Sequence, residues 1–242
     1  MTPEDITIMI CGPLHPLGIE AIPYYLSHVP QVIYSTWKPN NEVESDLLAR
    51  VRSMLPDENI IVADAVDASE FDNIQSVYYQ ACTWSQGANL CKTKYCIKTR
   101  TSCKYENMDP MIDAIILNPD KIVCSSIFFR PCCSTYYVYC PSDHIISMKT
   151  EEARAVTKIL LESLRITKQM VPAERKICFA TFSYRGIIPN MNDLVLAREQ
   201  MRATYIVVDV NTLKPMMYWH NTGPHPVFHH SHDISITDIS QV

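Results

Sequence analysis

Asp5-Ile6-Thr7-Ile8-Met9-Ile10-Cys11-Gly12-Pro13 is the stretch on which the reading of the fold turns. A short run of β-branched and apolar residues reads as a strand, and Gly12-Pro13 breaks it sharply. The same unit recurs along the chain. Gly18 to Ser27 reads as a helix, Gln31 to Thr36 as a second strand, and Glu42 to Met54 carries Val43, Leu47, Leu48 and Val51 at helical spacing. Asn59 to Ala63 is a third strand, Ile74 to Leu90 a helix, and Tyr95 opens a strand that runs through Lys98 and Arg100. Asp109 to Leu117 reads as helix and Lys121 to Ser126 as strand, and Glu151 to Leu164 is amphipathic, with Ala155, Ile159, Leu160 and Leu164 on its apolar stripe. Arg175 to Phe182 and Asn192 to Met201 follow as helices, then Thr204 to Val210 as a late strand. Strand and helix in alternation predict an α/β fold: a mostly parallel central sheet with helices on both faces. The aromatic stretch Phe128 to Tyr139 is expected to make a small antiparallel addition.

A chain of 242 residues fits one α/β domain. Its formal net charge of -5 lacks the basic footprint of a nucleic-acid binder, so any phosphate it takes is expected on a small molecule. Apolar residues make up 47% but fall in short runs, and none approaches the roughly 18 to 20 residues of a membrane span. Met1 to Asp5 has neither the basic segment nor the apolar core of a signal peptide, which points to a soluble, cytoplasmic protein. Ten cysteines without an export signal are read as reduced thiols, and no C-x-x-C pair suggests zinc.

Ligands of parallel sheets bind beyond the carboxyl ends of the strands. That rule gathers Gly12-Pro13, Ser35-Thr36-Trp37, Asp64 and the segment from Lys98 to Ser102 around one crevice. Lys98 and Arg100, two apart on a strand, project to the same side. Guanidinium and ammonium groups bind phosphate by charge-assisted hydrogen bonds, with Thr99, Thr101 and Ser102 as neutral donors beside them. The plainer alternative is a solvated edge strand.

Taken in order, Gly12-Pro13, Ser35-Thr36-Trp37, Gln80, Lys92-Thr93-Lys94-Tyr95, Lys98-Thr99-Arg100-Thr101 and Pro141-Ser142-Asp143 resemble the signature of the WavE lipopolysaccharide-synthesis family, over residues 5 to 165. The resemblance implies a GT-A fold, that of nucleotide-diphospho-sugar transferases. It also implies transfer of a sugar from a nucleotide-sugar donor to a hydroxyl of a glycan or glycoprotein acceptor. Residues 1–105 would form the nucleotide-sugar half and 106–210 the acceptor side of a single domain, with 211–242 a His-rich tail. Gly12, Pro13, Ser35, Thr36, Trp37, Gln80, Lys94, Lys98, Arg100, Thr101 and Ser102 would border the donor, and Asp143 would act on the acceptor hydroxyl as general base. Asp143 read alone fits a cap or turn equally well.

One position departs from the family. Members follow Arg-Thr or Arg-Ser with an aspartate, their form of the acidic metal-binding motif, whereas this chain has Ser102 there and no D-x-D anywhere. Hard cations such as Mg²⁺ or Mn²⁺ prefer anionic oxygen. The sequence therefore leaves three alternatives: a metal-independent transferase in which Lys98 and Arg100 neutralise the diphosphate, a metal moved to His225, His229, His230, His232 and Asp233, or an inactive binder of nucleotide or carbohydrate. Glu70, Asp72 and Glu106 are the nearest acidic substitutes.

Overall fold

The structure, a computed structural model, describes residues 1–67, 75–126, 139–166, 172–219 and 223–226. Ten strands and seven helices are defined there: β1 Ile6–Cys11, α1 Pro16–Leu26, β2 Gln31–Trp37, α2 Glu42–Met54, β3 Ile60–Ala63, α3 Gln75–Leu90, β4 Tyr95–Arg100, β5 Cys103–Tyr105, α4 Asp109–Leu117, β6 Ile122–Ser125, β7 Ile145–Lys149, α5 Thr150–Ile166, α6 Ala173–Arg185, α7 Leu194–Thr204, β8 Tyr205–Val208, β9 Pro215–Trp219 and β10 Gly223–Pro226.

A seven-stranded sheet runs in the order β3-β2-β1-β4-β7-β6-β8. β1 pairs in parallel with both β2 and β4, β2 with β3, and β6 with β8, while β7 lies antiparallel to β4 and β6. This is the mostly parallel α/β sheet expected. After β1 the chain steps outward to β2 and β3, then returns to place β4 on the other side of β1. The connections after β1 and β4 thus leave in opposite directions, and a crevice opens between them at the carboxyl ends, the usual ligand position in such sheets.

Side-chain alternation divides the core. Ile6, Ile8 and Ile10 of β1, with Tyr95 and Ile97 of β4, pack against α1 and α4. Met9, Cys11 and Cys96 face the other way, among Trp84 of α3, Val156 and Leu160 of α5, and Phe182 of α6. All six residues of β1 are buried, consistent with an interior strand covered on both faces. Local chemistry stops and starts the helices. Asn41 accepts from the Glu44 amide to cap α2, Asp193 does the same for Leu196 at α7, and Gly186 ends α6 in the left-handed conformation at φ 68°.

A second, three-stranded antiparallel sheet has the order β10-β9-β5. A small antiparallel addition was expected, but at Phe128 to Tyr139, of which 128–138 lie outside the described residues. The observed sheet recruits β9 from the segment read as a tail. β7 has no counterpart in the sequence reading, because five residues between a polar island and a helix give little periodicity. The eight described cysteines are buried thiols, and no described helix is long and apolar enough to cross a membrane.

Candidate functional site

The crevice holds a cavity of about 670 Å³ whose walls include Gly12, Pro13, Trp37, Gln80, Arg100, Thr101 and Ser102. These seven are sequence-predicted residues from β1, β2, α3, β4 and their connections, so the topology does gather them. The approach of the loops depends on glycine. Gly12 has φ 137°, and a Cβ there would lie 2.8 Å from Thr101 Oγ1; at Gly18 it would lie 2.7 Å from the Thr101 carbonyl oxygen. The β4 loop is thereby seated directly on the start of α1.

Beneath the cavity lies a charged network. Lys98 and Arg100 point to the same face of β4, and both meet Asp143, which arrives from the connection leading into β7. Lys98 Nζ donates to the Asp143 carbonyl oxygen at 2.5 Å, and an Arg100 amino group donates to Asp143 Oδ2. Gln80, with its amide turned to suit these neighbours, accepts from Lys98 Nζ and from Arg100 Nε and donates to Asp143 Oδ2. Lys98 also sits 5.9 Å from the ring centroid of Trp84. His144 closes the group, its Nε2 lying 3.9 Å from Asp143 Oδ1 and its Nδ1 3.8 Å from Cys103 Sγ.

Burial sets the electrostatics. Lys98 is 0% and Asp143 1% exposed, whereas the Arg100 side chain keeps 31% and reaches the cavity. Burial, reinforced by the Arg100 charge, lowers the Lys98 ammonium to about 8. For Asp143 burial alone would raise the carboxyl, but Arg100, His144 and Lys98 outweigh it and hold the group well below the usual carboxylate range. The His144 imidazole is pushed down to about 3 by burial and by the nearby Arg100 and Lys98 charges, against the pull of Asp143. It is neutral at physiological pH.

The remaining predicted residues lie elsewhere. Ser35 and Thr36 are fully buried in β2; the Ser35 hydroxyl donates to Gln86 Oε1 and its carbonyl oxygen receives the Gly12 amide. They support the loop from below without lining the cavity. Lys94 precedes β4 at its far end, about 20 Å from Arg100 at a strand rise of roughly 3.3 Å per residue. It lies 5.5 Å from the Tyr95 ring centroid and is removed from the crevice, a correction to the sequence reading. Asp64 is likewise outside it, paired with Lys38 at 2.5 Å.

The position of the acidic motif expected from the resemblance offers a divalent cation no carboxylate. Ser102 brings a hydroxyl, Asp143 is held by Arg100, and Glu106 pairs with Lys104 at 3.3 Å. Among the described residues no three His, Cys, Asp or Glu come together to hold a metal. Glu70, Asp72, His229, His230, His232 and Asp233 lie outside the described residues, and His225 falls on β10 in register with Met217.

Several wall residues were not expected from the sequence: His15, Ser76, Val77, Tyr79, His144, Ala173, Glu174 and Met217. His15 follows the β1 break, and His144 adjoins Asp143 in the polar island, so both had a local signal. Tyr79 makes an edge-to-face pair with Trp37, centroids 5.7 Å apart. Glu174 and Met217 arrive from distant elements and had none.

No protein-family model matches the chain, and no curated protein does. Among solved structures it is similar to an active-site mutant of LgtC, with 11% identity, 98% of this chain and 95% of that one covered, and a TM-score of 0.50. The apo-form glycosyltransferase GlyE of Streptococcus pneumoniae TIGR4 matches at 7% identity over 76% of this chain and 44% of that one, with a TM-score of 0.45. The LgtC likeness, at that identity, speaks to the fold alone, and that fold is the GT-A type.

Proposed function

We propose that this chain is a glycosyltransferase that moves a sugar from a nucleotide-diphospho-sugar to an acceptor hydroxyl on a glycan or glycoconjugate. The supporting observation is the cavity at the switch point of the sheet, where a wall with the Trp37 and Tyr79 rings and a wall with Arg100, Thr101 and Ser102 enclose one space. Rings of this kind stack on a nucleobase or sugar, and the guanidinium with its hydroxyl neighbours suits a diphosphate. Affiliation to the WavE family is the narrower part of the same proposal and rests on the ordered residues quoted above.

Arg100 carries the diphosphate in this reading without a bridging cation. Lys98 does not reach the cavity; it adds positive potential from below and, with Gln80 and Asp143, fixes the guanidinium plane. A carboxylate so buried and so committed to a cation is a weak proton acceptor, because accepting a proton would break the pair. We therefore assign Asp143 to positioning Arg100 rather than to proton transfer. Direct displacement with inversion is the simplest course: the acceptor oxygen bonds to the anomeric carbon and its hydroxyl proton passes to solvent water, while the bond from that carbon to phosphate breaks and its electrons pass to the diphosphate, where Arg100 stabilises the new charge. Residues 1–105 supply the donor side and 106–210 the acceptor side.

Ser102 favours a second reading, a nucleotide- or carbohydrate-binding protein that has lost catalysis along with its carboxylate. Incubation with UDP-, GDP- and TDP-sugars, with Mn²⁺ or with EDTA, separates the two. An enzyme splits one of the donors, whereas a binder shows only thermal stabilisation. Arg100→Ala is expected to weaken binding of that donor at least tenfold and Asp143→Asn to lower turnover. Full activity in both variants would remove the assignment.

A further inference from the structure

We infer that Lys98 couples nucleotide binding to proton uptake: a diphosphate held at Arg100 restores the ammonium form of the lysine buried behind it, so the site holds its ligand less tightly as pH rises. The inference rests on the diphosphate site proposed above and gives that site a regulation of its own.

Geometry leaves Lys98 a poorly neutralised cation. The side chain is fully buried, and among the described residues its hydrogen-bond acceptors are two neutral oxygens, the Asp143 carbonyl and the Gln80 amide. The Asp143 carboxylate is committed elsewhere, with Oδ2 on Arg100 and Gln80 and Oδ1 turned toward His144. The charged and titratable groups facing Lys98 are Arg100 from β4 itself, Asp143 and His144 from the approach to β7, and the Cys11 and Cys103 thiols from β1 and β5. From α3 come the neutral Trp84 ring and Gln80. Burial keeps both thiols protonated and His144 uncharged, so the balance at Nζ is Arg100 against Asp143. Burial and the Arg100 charge prevail and bring the ammonium down to about 8.

Arg100 reaches the cavity and Lys98 lies behind it, their Cα atoms about 7 Å apart on one face of the strand. At a separation of that order and an effective dielectric constant of about 20, each negative charge of a bound diphosphate favours protonated Lys98 by about tenfold or more. The step balances: solvent supplies the proton, the Lys98 amine takes it as the ligand binds, and departure of the ligand returns it. Bound protein thus carries more protons than free protein, and affinity falls as pH passes 8.

Calorimetric titration of wild type, Lys98→Met and Lys98→Arg with UDP, GDP and TDP at pH 7.0 and 8.5, each in two buffers of different ionisation enthalpy, tests this. With the nucleotide that binds, wild type is expected to take up more than about half a proton at pH 8.5 and almost none at pH 7.0, and to bind about threefold more weakly at the higher pH. Lys98→Met, which has no amine, shows neither change, and Lys98→Arg, which stays charged, binds equally at both pH values. Ionisation of the nucleotide is common to all three proteins and cancels from the comparison. Proton uptake by Lys98→Met equal to that of wild type overturns the inference while leaving the diphosphate site in place. Should Lys98→Met fail to fold, as its melting temperature would show, Lys98→Arg decides, and uptake equal to wild type has the same consequence. A wild type that binds none of the three nucleotides at pH 7.0 overturns both the inference and the site.

Discussion

Arg100 and Asp143 show at the residue scale how a costly arrangement is retained where it is useful. Burying a carboxylate at 1% exposure costs several kcal/mol unless partners replace its hydration, and here a guanidinium and an amide take one oxygen while the other, Oδ1, has no hydrogen-bond partner. His144 sits beside that oxygen as a neutral imidazole. Its folded pKa of about 3 lies below its ordinary 6.5, so between these values the unfolded chain binds the extra proton. Stability from this group is therefore complete above about pH 6.5 and is lost as pH falls toward 3. Between pH 7.5 and pH 5 the loss expected from His144 is about 2 kcal/mol by linkage. Urea unfolding at the two pH values checks this: His144→Asn should remove most of the difference, and an unchanged difference would place its cause elsewhere.

Among the elements, the β4 loop and α1 are the pair on which the cavity depends. Gly18 allows the Thr101 backbone to lie where any side chain would collide, with a Cβ at 2.7 Å from the carbonyl oxygen and 2.9 Å from Cα. Backbone atoms have no rotamer through which to yield. Gly18→Ala should cost about 1–3 kcal/mol, the range for overpacking, and weaken nucleotide binding through Thr101 and Ser102. Gly87→Ala is the comparison, since its nearest atom is the flexible Met9 sulfur at 3.3 Å. Thermal melts and nucleotide titration of the two variants test the difference, and equal behaviour would mean that the loop adapts. Helices α2 and α4 appear with the bounds read from the sequence, because periodicity and capping residues are local. β5 escaped notice because its three residues carry no period.

The order of strands, visible only in the whole molecule, turns this set of elements into a site. β9 closes the cavity from outside the main sheet: Met217 pairs in register with Cys103 of β5 and lines the wall. A chain ended after Lys214 should keep the central sheet, with circular dichroism little changed, but lose nucleotide-induced thermal stabilisation. Retained stabilisation would show that β9 is dispensable to binding.

The chain's own residues, without tertiary information, determined the alternation of strand and helix and the side of β4 on which Lys98 and Arg100 project, since both follow from spacing along a few residues. They also identified Gly12, Trp37, Arg100 and Ser102 as neighbours, through the rule that parallel strands present their carboxyl ends together. Tertiary structure alone decided the partners. Asp143 reaches Arg100 across 43 residues, Lys98 is covered by Trp84 and Gln80, Lys94 is left at the opposite end of its strand, and Glu174 and Met217 enter from elements with no local mark of function. Such contacts depend on where the sheet order brings separate segments to rest, and periodicity within a segment carries no record of that order.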